Sequence, residues 1–464
     1  MKKYFFSFAF LFISFTQAQD LNNTLSLKEY LGYVKQFHPI VKQVSLIVDE
    51  SESKLLKARG AFDPKLEVDY DKKKFKGTEY YDKLNATFKI PTWYGVELKA
   101  SFEENSGFFL NPEATIPNDG LYSVGVSVSL ARGLLINKRM SMLKQAKFFK
   151  EQAVADKQLF VNQVLFDAAN TYFNWLKVYN EKQVYQSFLK NAELRFRGVK
   201  KSFEEGERAS IDTLEAGIIV NKRKLDLERA SVKYTKATLD LSNFLWLENN
   251  VPIELQEGMI PDTETMILVD ETLSIDTVKI DSLNIEKHPK LISLDRKFER
   301  LKVDKQLKLN RLLPQVDLEY NFLTQTPELI NSLNQNQYKG GITVKFPLFL
   351  RKERGDLKLS KLKLKGLQYE ISSTRLGLMN KIEAISQEIN SLEKQNRYAQ
   401  NIVNDYDKLL KAEERKFFLG ESSIFLVNSR ESKLIDSKLK AIKVIYDYLN
   451  SKASLVNTIA VMNP

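Results

Sequence analysis

Two long stretches without proline constrain the fold of this chain more than any other feature. No proline occurs in residues 118–251 or in residues 348–463. Because proline ends or kinks helices, both stretches can form helices far longer than usual. Each stretch contains one isolated Gly-Glu step, Gly206-Glu207 or Gly420-Glu421, where a tight turn is expected. In each stretch the sequence therefore predicts a very long helix, a Gly-Glu turn and a long helix.

Alternating apolar and polar residues precede each proline-free stretch. The segment PKLEVDY begins at Pro64, and PQVDLEY begins 250 positions later at Pro314. Period two over such segments is typical of strands with one apolar face. A histidine–proline pair, His38-Pro39 or His288-Pro289, stands 26 residues before each segment, and the chain has only 2 histidines. We interpret this order as an internal two-fold sequence repeat of helix, strands, long helix, turn and long helix.

The predicted domains follow from this repeat. Residues 1–18 resemble a secretory signal peptide, with a positive MKK, an apolar YFFSFAFLFISF and small residues before the cleavage site. The apolar core of about 12 residues is shorter than the roughly 20 that span a membrane. The remaining domains are residues 19–250, the first repeat, with strands at 64–130 and a tip near 206; residues 251–282, an irregular equatorial segment; and residues 283–464, the second repeat, with strands at 314–346 and a tip near 420.

Composition excludes several classes of function. The formal net charge is +11, but the lysines are interleaved with Asp and Glu along helix-like segments, so we interpret them as solvated helix faces and expect no nucleic-acid partner. With no Cys and only 2 His in equivalent places, no metal site or nucleophile–base set can be assembled. We expect no enzyme activity, no metal and no cofactor.

The strands cannot close a membrane barrel within one chain. Residues 84–102 alternate as an extra strand pair around Pro91-Thr92, and residues 105–120 form a longer loop. Short turns on one side and long loops on the other are typical of outer-membrane barrels. Four or six strands leave open edges, which lipid does not tolerate, so several chains must close one barrel together. Helices of about 100 Å would continue that barrel as a tube.

The last helix carries an apolar heptad stripe, which predicts coiled-coil packing. The corresponding track in the first repeat, Leu225, Val232 and Leu239, is interrupted by polar residues. The stripe comprises Ile435, Leu439, Ile442, Tyr446, Leu449, Ala453 and Val456.

The chain resembles the TolC-like outer-membrane efflux proteins. The resemblance rests on the duplicated His-Pro-to-strand segments, on SVSLARGLLINKRMSMLKQAK at the first strand-to-helix join, and on FEEGERASIDTLEA and FFLGESSIFLVNS at the two turns. It implies an α+β membrane protein in which long α-helical hairpins form a periplasmic tunnel joined to an oligomeric transmembrane β-barrel. The family pattern is a homotrimer in the cell outer membrane, with four strands per chain and twelve per barrel.

The same resemblance implies function and partners. It predicts a channel-tunnel in outer-membrane lipid that exports small molecules or, as in type I secretion, polypeptides. An inner-membrane efflux or secretion transporter and a periplasmic adaptor (membrane fusion) protein would deliver this cargo. The docking surface for the adaptor would lie at the tips, at Gly206, Glu207, Gly420, Glu421 and Ser423.

The tunnel entrance departs from the family pattern. Asp212 occupies the place of the aspartate that latches the resembled tunnel, but its Tyr and Arg partners are replaced by Phe417 and Ser422. Leu426 and Ser429 replace the paired Asp residues of the constriction. We therefore expect a gate without an acidic ring, with little cation preference. Lys416 or Arg415 are the expected alternative partners of Asp212.

Two alternatives remain open from the sequence. The chain could be an exported coiled-coil periplasmic adaptor, or a structural helical protein without a channel. The strand pair at 84–102 could either widen the sheet to six strands or stand above the membrane. The cargo and the transporter that supplies it are not encoded in any pattern that we recognise.

Overall fold

The computed structural model describes residues 23–134, 136–256, 258–275, 284–326 and 333–460. The expected signal peptide and residues 276–282 of the equatorial segment lie outside these ranges. The α-helices are α1 (Leu27–Phe37), α2 (Pro39–Arg59), α3 (Lys138–Glu204), α4 (Ser210–Ser242), α5 (Thr265–Thr272), α6 (Pro289–Asn310), α7 (Arg351–Phe418) and α8 (Ile424–Ile459). The strands are β1 (Thr24–Leu25), β2 (Lys65–Phe75), β3 (Thr78–Pro91), β4 (Val96–Ser106), β5 (Leu121–Ala131), β6 (Ile260–Pro261), β7 (Gln315–Thr324) and β8 (Tyr338–Lys345).

Two very long helical hairpins, α3–α4 and α7–α8, dominate the structure. Helix α3 has 67 residues and α7 has 68, so each is about 100 Å long. Helix α3 begins where the Asn137 side chain accepts a hydrogen bond of 2.8 Å from the Met140 N–H. Among the described residues, no helix combines the length and the hydropathy needed to cross a bilayer.

Six strands form one continuous antiparallel sheet in the order β2-β3-β4-β5-β7-β8. The β3–β4 hairpin contains residues 84–102 and lies between β2 and β5. Of the two positions left open for this hairpin, the structure therefore shows the one within the sheet. Lys76 and Gly77, both with positive φ, turn β2 into β3. A loop at 107–120 joins β4 to β5 at the same end.

The two faces of the sheet differ in polarity. On one face the register places Val68 opposite Ala86, Leu98 opposite Val126, and Leu318 opposite Ile342. The other face carries ion pairs, among them Lys99 with Glu319 at 3.0 Å. The apolar face is uncovered, since Leu66, Val68, Ile342 and Val344 are 57–70% exposed. A patch of this kind marks a contact with lipid or with another protein.

The largest core lies at the middle of α3, where the C-terminal ends of α4 and α8 and residues of the equatorial segment pack against it. Trp175, Tyr172 and Phe173 of α3 are fully buried there, against residues of α1, α4, α5 and α8. The Tyr172 hydroxyl donates a 2.7 Å hydrogen bond to the Leu25 carbonyl. Lys452 of α8 is buried and reaches both carboxylate oxygens of Asp270 in α5 at 2.6 Å. This pair fastens the equatorial segment to α8.

The two heptad tracks have opposite environments. In α8, Ile435, Leu449, Ala453 and Val456 of the stripe are buried. In α4, Leu225, Val232 and Leu239 are about half-exposed, at 49–55%. Within the described residues of one chain, the first track is therefore an apolar stripe that stays half-exposed.

Each histidine caps a short helix that leads toward the sheet. The Nδ1 atoms of His38 and His288 accept hydrogen bonds from the backbone N–H groups of Ile40 and Lys290, at 3.3 and 3.1 Å. Because Nδ1 accepts, Nε2 carries the proton, and in His288 it donates to the Thr458 carbonyl at 2.8 Å. The His38 ring stacks on Phe244, with centroids 5.4 Å apart. The repeated His-Pro pair thus starts α2 beside the end of α4, and α6 beside the end of α8.

Removing both histidines should reduce the acid sensitivity of the fold. Burial is the main cause that lowers the pKa of both His38 and His288, so the neutral ring stabilises the fold. This contribution is complete above the unfolded pKa of about 6.5 and is lost as the pH falls through the lowered folded pKa. Asparagine keeps the N-cap and does not titrate. Thermal unfolding at pH 8 and pH 5 should therefore show a smaller acid shift for H38N/H288N than for wild type; equal shifts would contradict the assignment.

Candidate functional site at the hairpin tips

The two hairpin tips have the same turn geometry. At the first, the Gly206 N–H donates to the Phe203 carbonyl and the Glu207 N–H to the Ser202 carbonyl. At the second, Gly420 donates to Phe417 and Glu421 to Lys416 in the same pattern. Both are Schellman motifs, in which the glycine takes a left-handed conformation. The φ angles are +79° at Gly206 and +80° at Gly420, which favours glycine at both places.

One arginine joins the two tips. The Arg208 guanidinium, from the first tip, donates a 3.1 Å hydrogen bond to the Phe417 carbonyl of the second. The same guanidinium lies 4.0 Å from the centroid of the Phe417 ring, a cation–π contact. Asp212, in the first turn of α4, lies 3.9 Å from Arg208. Within one chain the neighbour of Asp212 is thus Arg208, and its pairing with Lys416 or Arg415 stays a prediction.

A largely buried cluster of charged residues lies on the same hairpins, on the sheet side of the tips. Glu431 of α8 is 0% exposed. Its Oε2 accepts a 2.6 Å hydrogen bond from Arg195 of α3, and its Oε1 accepts a 3.1 Å bond from Arg223 of α4. Arg195 also donates to Glu414 of α7 at 3.0 Å. Charged groups of all four long helices thus meet at one point, which we call the Glu431 cluster (Arg195, Arg223, Glu414 and Glu431).

The remaining predicted site residues lie around the second tip. Ser423 is the N-cap of α8 and accepts a hydrogen bond from the Leu426 N–H at 3.3 Å. Ser422 donates to Glu413, and that bond is the main cause that lowers the pKa of Glu413. Leu426 and Ser429 are exposed, whereas Phe417 is buried in an apolar cluster with Ile424 and Val427. The first tip residues, Gly206 and Glu207, are also exposed.

The two tips offer surfaces for contact. The tips present exposed apolar side chains, including Ile211, Phe418 and Phe425, beside turns whose backbone N–H groups are hydrogen-bonded. Within the described ranges, no cluster of three or more His, Cys, Asp or Glu residues could hold a metal ion. The site is suited to contacts between hairpins and with other chains.

Comparison with known proteins supports the resemblance seen in the sequence. Residues 299–461 match the family model described as outer membrane efflux protein. No curated protein matches the chain. The resemblance to outer-membrane efflux proteins is confirmed.

Solved structures extend the likeness to nearly the whole chain. The Campylobacter jejuni CmeC outer membrane channel is similar with a TM-score of 0.65 and 14% identity, over 95% of this chain and 86% of that one. A membrane protein from Pseudomonas aeruginosa is similar with a TM-score of 0.68 and 12% identity, over 93% of this chain and 92% of that one. The Vibrio cholerae outer membrane protein VceC is similar with a TM-score of 0.65 and 12% identity, over 94% of this chain and 96% of that one. The chain has the fold of these membrane proteins.

Sequence reasoning missed Arg208 and the Glu431 cluster. The interpretation of solvated helix faces concerned the lysines and did not anticipate buried charges. Arg223 and Glu431 are buried, and the Arg195 side chain is only 11% exposed. A signal was present for Glu431, which falls between Val427 and Leu434 on the apolar face of α8. A charged residue in the phase of an apolar stripe predicts a buried partner of opposite charge. The weak cation preference inferred from Leu426 and Ser429 stays a prediction, which bilayer recording would check.

Neutralising Glu431 should destabilise the packing of the two hairpins near their tips. E431Q would leave two buried guanidinium groups facing a neutral amide, and removing one partner of a buried ion pair costs about 3–5 kcal/mol. Amide exchange in purified protein should accelerate in residues 195–230 and 410–435, and the thermal midpoint should fall. D436N, which neutralises an exposed carboxylate on the same helix, is the matched control. Unchanged exchange in E431Q would mean that the cluster does not hold the hairpins together.

Proposed function

We propose that this chain is the subunit of a homotrimeric channel-tunnel in the outer membrane. It would export small molecules or polypeptides that an inner-membrane transporter and a periplasmic adaptor deliver. One observation carries the proposal. An amphipathic six-stranded sheet with an uncovered apolar face stands at the end of two hairpins, in each of which the longer helix is about 100 Å.

The uncovered sheet face supports insertion in a membrane. Its alternation of apolar and polar side chains is the pattern of strands that face lipid on one side and a water-filled lumen on the other. The polar face carries charges of both signs, including the Lys99–Glu319 pair, which suits contact with water. The other face is apolar from β2 to β8.

Exposed stripes on the helices support assembly from several copies. On α4, Ile211, Leu214 and Ile218 continue the track of Leu225, Val232 and Leu239, and all six are half-exposed or more. On α7, Leu362, Tyr369 and Leu376 repeat every seven residues and are also exposed. Apolar residues at heptad spacing require a facing helix. The α4 stripe of one copy against the α7 face of the next would cover both and place three sheets around one axis.

The hairpin tips are the proposed docking surface for the adaptor. Gly206, Glu207, Gly420, Glu421 and Ser423 lie at the point of the hairpins farthest along the chain from the strands. A G420W variant or a charge reversal at Glu421 should abolish export while the trimer remains intact by mass. Normal export in these variants would reject the tips as the interface.

A periplasmic adaptor or a structural helical protein without a channel is the competing function. Neither needs a large sheet with one apolar face open to its surroundings. Fractionation decides between them, because a channel should sediment with outer membranes, resist salt and carbonate extraction, and conduct ions after reconstitution. Release by salt alone would favour the competing function.

Charges placed in the α4 stripe should break the trimer. L225E/V232E puts two carboxylates where the proposed partner helix presents apolar side chains, and burying them unpaired is strongly unfavourable. Mass measurement in mild detergent should give a trimer for wild type and monomers for the variant. K233E changes the charge of an exposed residue that lies about 100° around the helix from Val232, off the stripe, and should stay trimeric. A monomeric wild-type protein would reject the assembly.

A further inference from the structure

We propose that three copies close a single eighteen-stranded barrel, in which β2 of each copy pairs with β8 of the next. The inference rests on the trimer proposed above and specifies its membrane end. The family resemblance implies four strands per chain and twelve per barrel, whereas the described sheet has six strands. Two observations carry the proposal. The β3–β4 hairpin lies within the sheet, and the edge strands β2 and β8 are open and run in opposite directions.

The β3–β4 hairpin is built into the middle of the sheet. Every residue of β2, from Lys65 to Phe75, has a partner in β3, and β4 pairs with β5. The hairpin therefore links the first strand to the rest of the sheet. If it stood above the membrane, β2 would have to leave β3 and form a new ladder with β5.

The hairpin also shares the apolar face of its neighbours. Across the sheet, apolar residues stand opposite one another in every neighbouring pair of strands. These register pairs are Leu66 with Phe88, Ile90 with Leu98, Leu98 with Val126, Val126 with Tyr320, and Leu318 with Ile342. A hairpin outside the membrane has no need of this face, since its apolar side chains would be exposed to water.

On the polar face, the hairpin is tied to a strand of the second half of the chain. Lys99 of β4 reaches across β5 to Glu319 of β7, at 3.0 Å. It passes Gly125, which lies opposite Lys99 on one side and Asn321 on the other. A Cβ atom at Gly125 would lie 2.2 Å from the Tyr320 carbonyl oxygen, so this close approach requires glycine. Ser101 of β4 is also hydrogen-bonded to Ser123 of β5 at 2.6 Å.

The two edge strands fit each other. All residues of β2 and of β8 are exposed, and each strand is paired on one side only. Because the sheet has an even number of antiparallel strands, β2 and β8 run in opposite directions. Copies placed side by side around an axis therefore meet with antiparallel edges. Such a head-to-tail contact closes a ring, and closure removes every edge that lipid would not tolerate.

The consequence is a wide exit. Barrel diameter grows roughly linearly with strand number, so eighteen strands make a barrel about one and a half times as wide as twelve. Barrels of 16–18 strands enclose an aqueous channel. The polar face that lines it carries both signs, for example Lys89 with Glu67. The membrane end would then pass any solute that the hairpin tips admit, and cargo size would be limited at the tips.

Disulfide mapping in intact outer membranes tests the barrel, since the chain has no native Cys. L66C, V68C and Y70C on β2 are each combined with I342C on β8, and oxidation should link at least one pair into dimers and trimers. The control combines V68C with T343C, on the opposite face, and should not link. Within one chain, V68C/A86C should lose its maleimide labelling on oxidation.

The outcomes separate this proposal from the trimer itself. Links of V68C to V124C or V126C, in place of A86C, would show that β2 pairs with β5 and that the barrel has twelve strands. A trimer in which V68C/A86C links but no β2–β8 pair does would overturn the edge pairing. Either result leaves the proposed channel intact. Monomeric protein in the mass measurement would instead reject the trimer on which the barrel depends.

Discussion

The unpaired edges of the six-stranded sheet are the constraint on which the rest of the molecule depends. Each N–H or C=O group left without a partner in hydrocarbon costs several kcal/mol. Strands β2 and β8 leave one row of such groups each. A sheet of this kind is stable in lipid only beside further strands. Because long helices leave the same end of the sheet, strands brought together around an axis also bring the helices together, and the exposed stripes of α4 and α7 then face neighbouring copies.

Along each hairpin, three different interactions hold the helices together. At the C-terminal ends of α4 and α8, a large aromatic core around Trp175 and Tyr172 fixes them against α3. The tips are fixed by the Glu431 cluster and by Arg208 on Phe417. Buried ion pairs add little net stability, but a misplaced buried charge is costly. A slip of α8 by one turn would remove Glu431 from both arginines, so the cluster specifies the alignment of the two hairpins.

Much of the fold could be predicted from periodicity. The long helices of the proline-free stretches, the turns at the Gly-Glu steps and the strands of the alternating segments lie where the sequence predicts them. Each of these features depends on local backbone preferences. The position of the β3–β4 hairpin could not be predicted in this way. Alternation at 84–102 indicates a strand pair with two unlike faces, but it does not say which strands lie beside it. That depends on register with β2 and β5, which only the folded chain shows.

The tip shows why matching single positions to a family pattern is less informative than the chemistry around them. Asp212 was expected to need a partner from the second hairpin, because Phe417 and Ser422 cannot replace the tyrosine and arginine of the resembled tunnel. Instead Arg208, which lies in the turn before α4, comes within 3.9 Å of Asp212 in the first turn of that helix. The guanidinium then uses the features of Phe417 that every phenylalanine has, the ring face and the backbone carbonyl. A contact between the two hairpins is therefore present here too, but its arginine, Arg208, belongs to the first tip and not to the second.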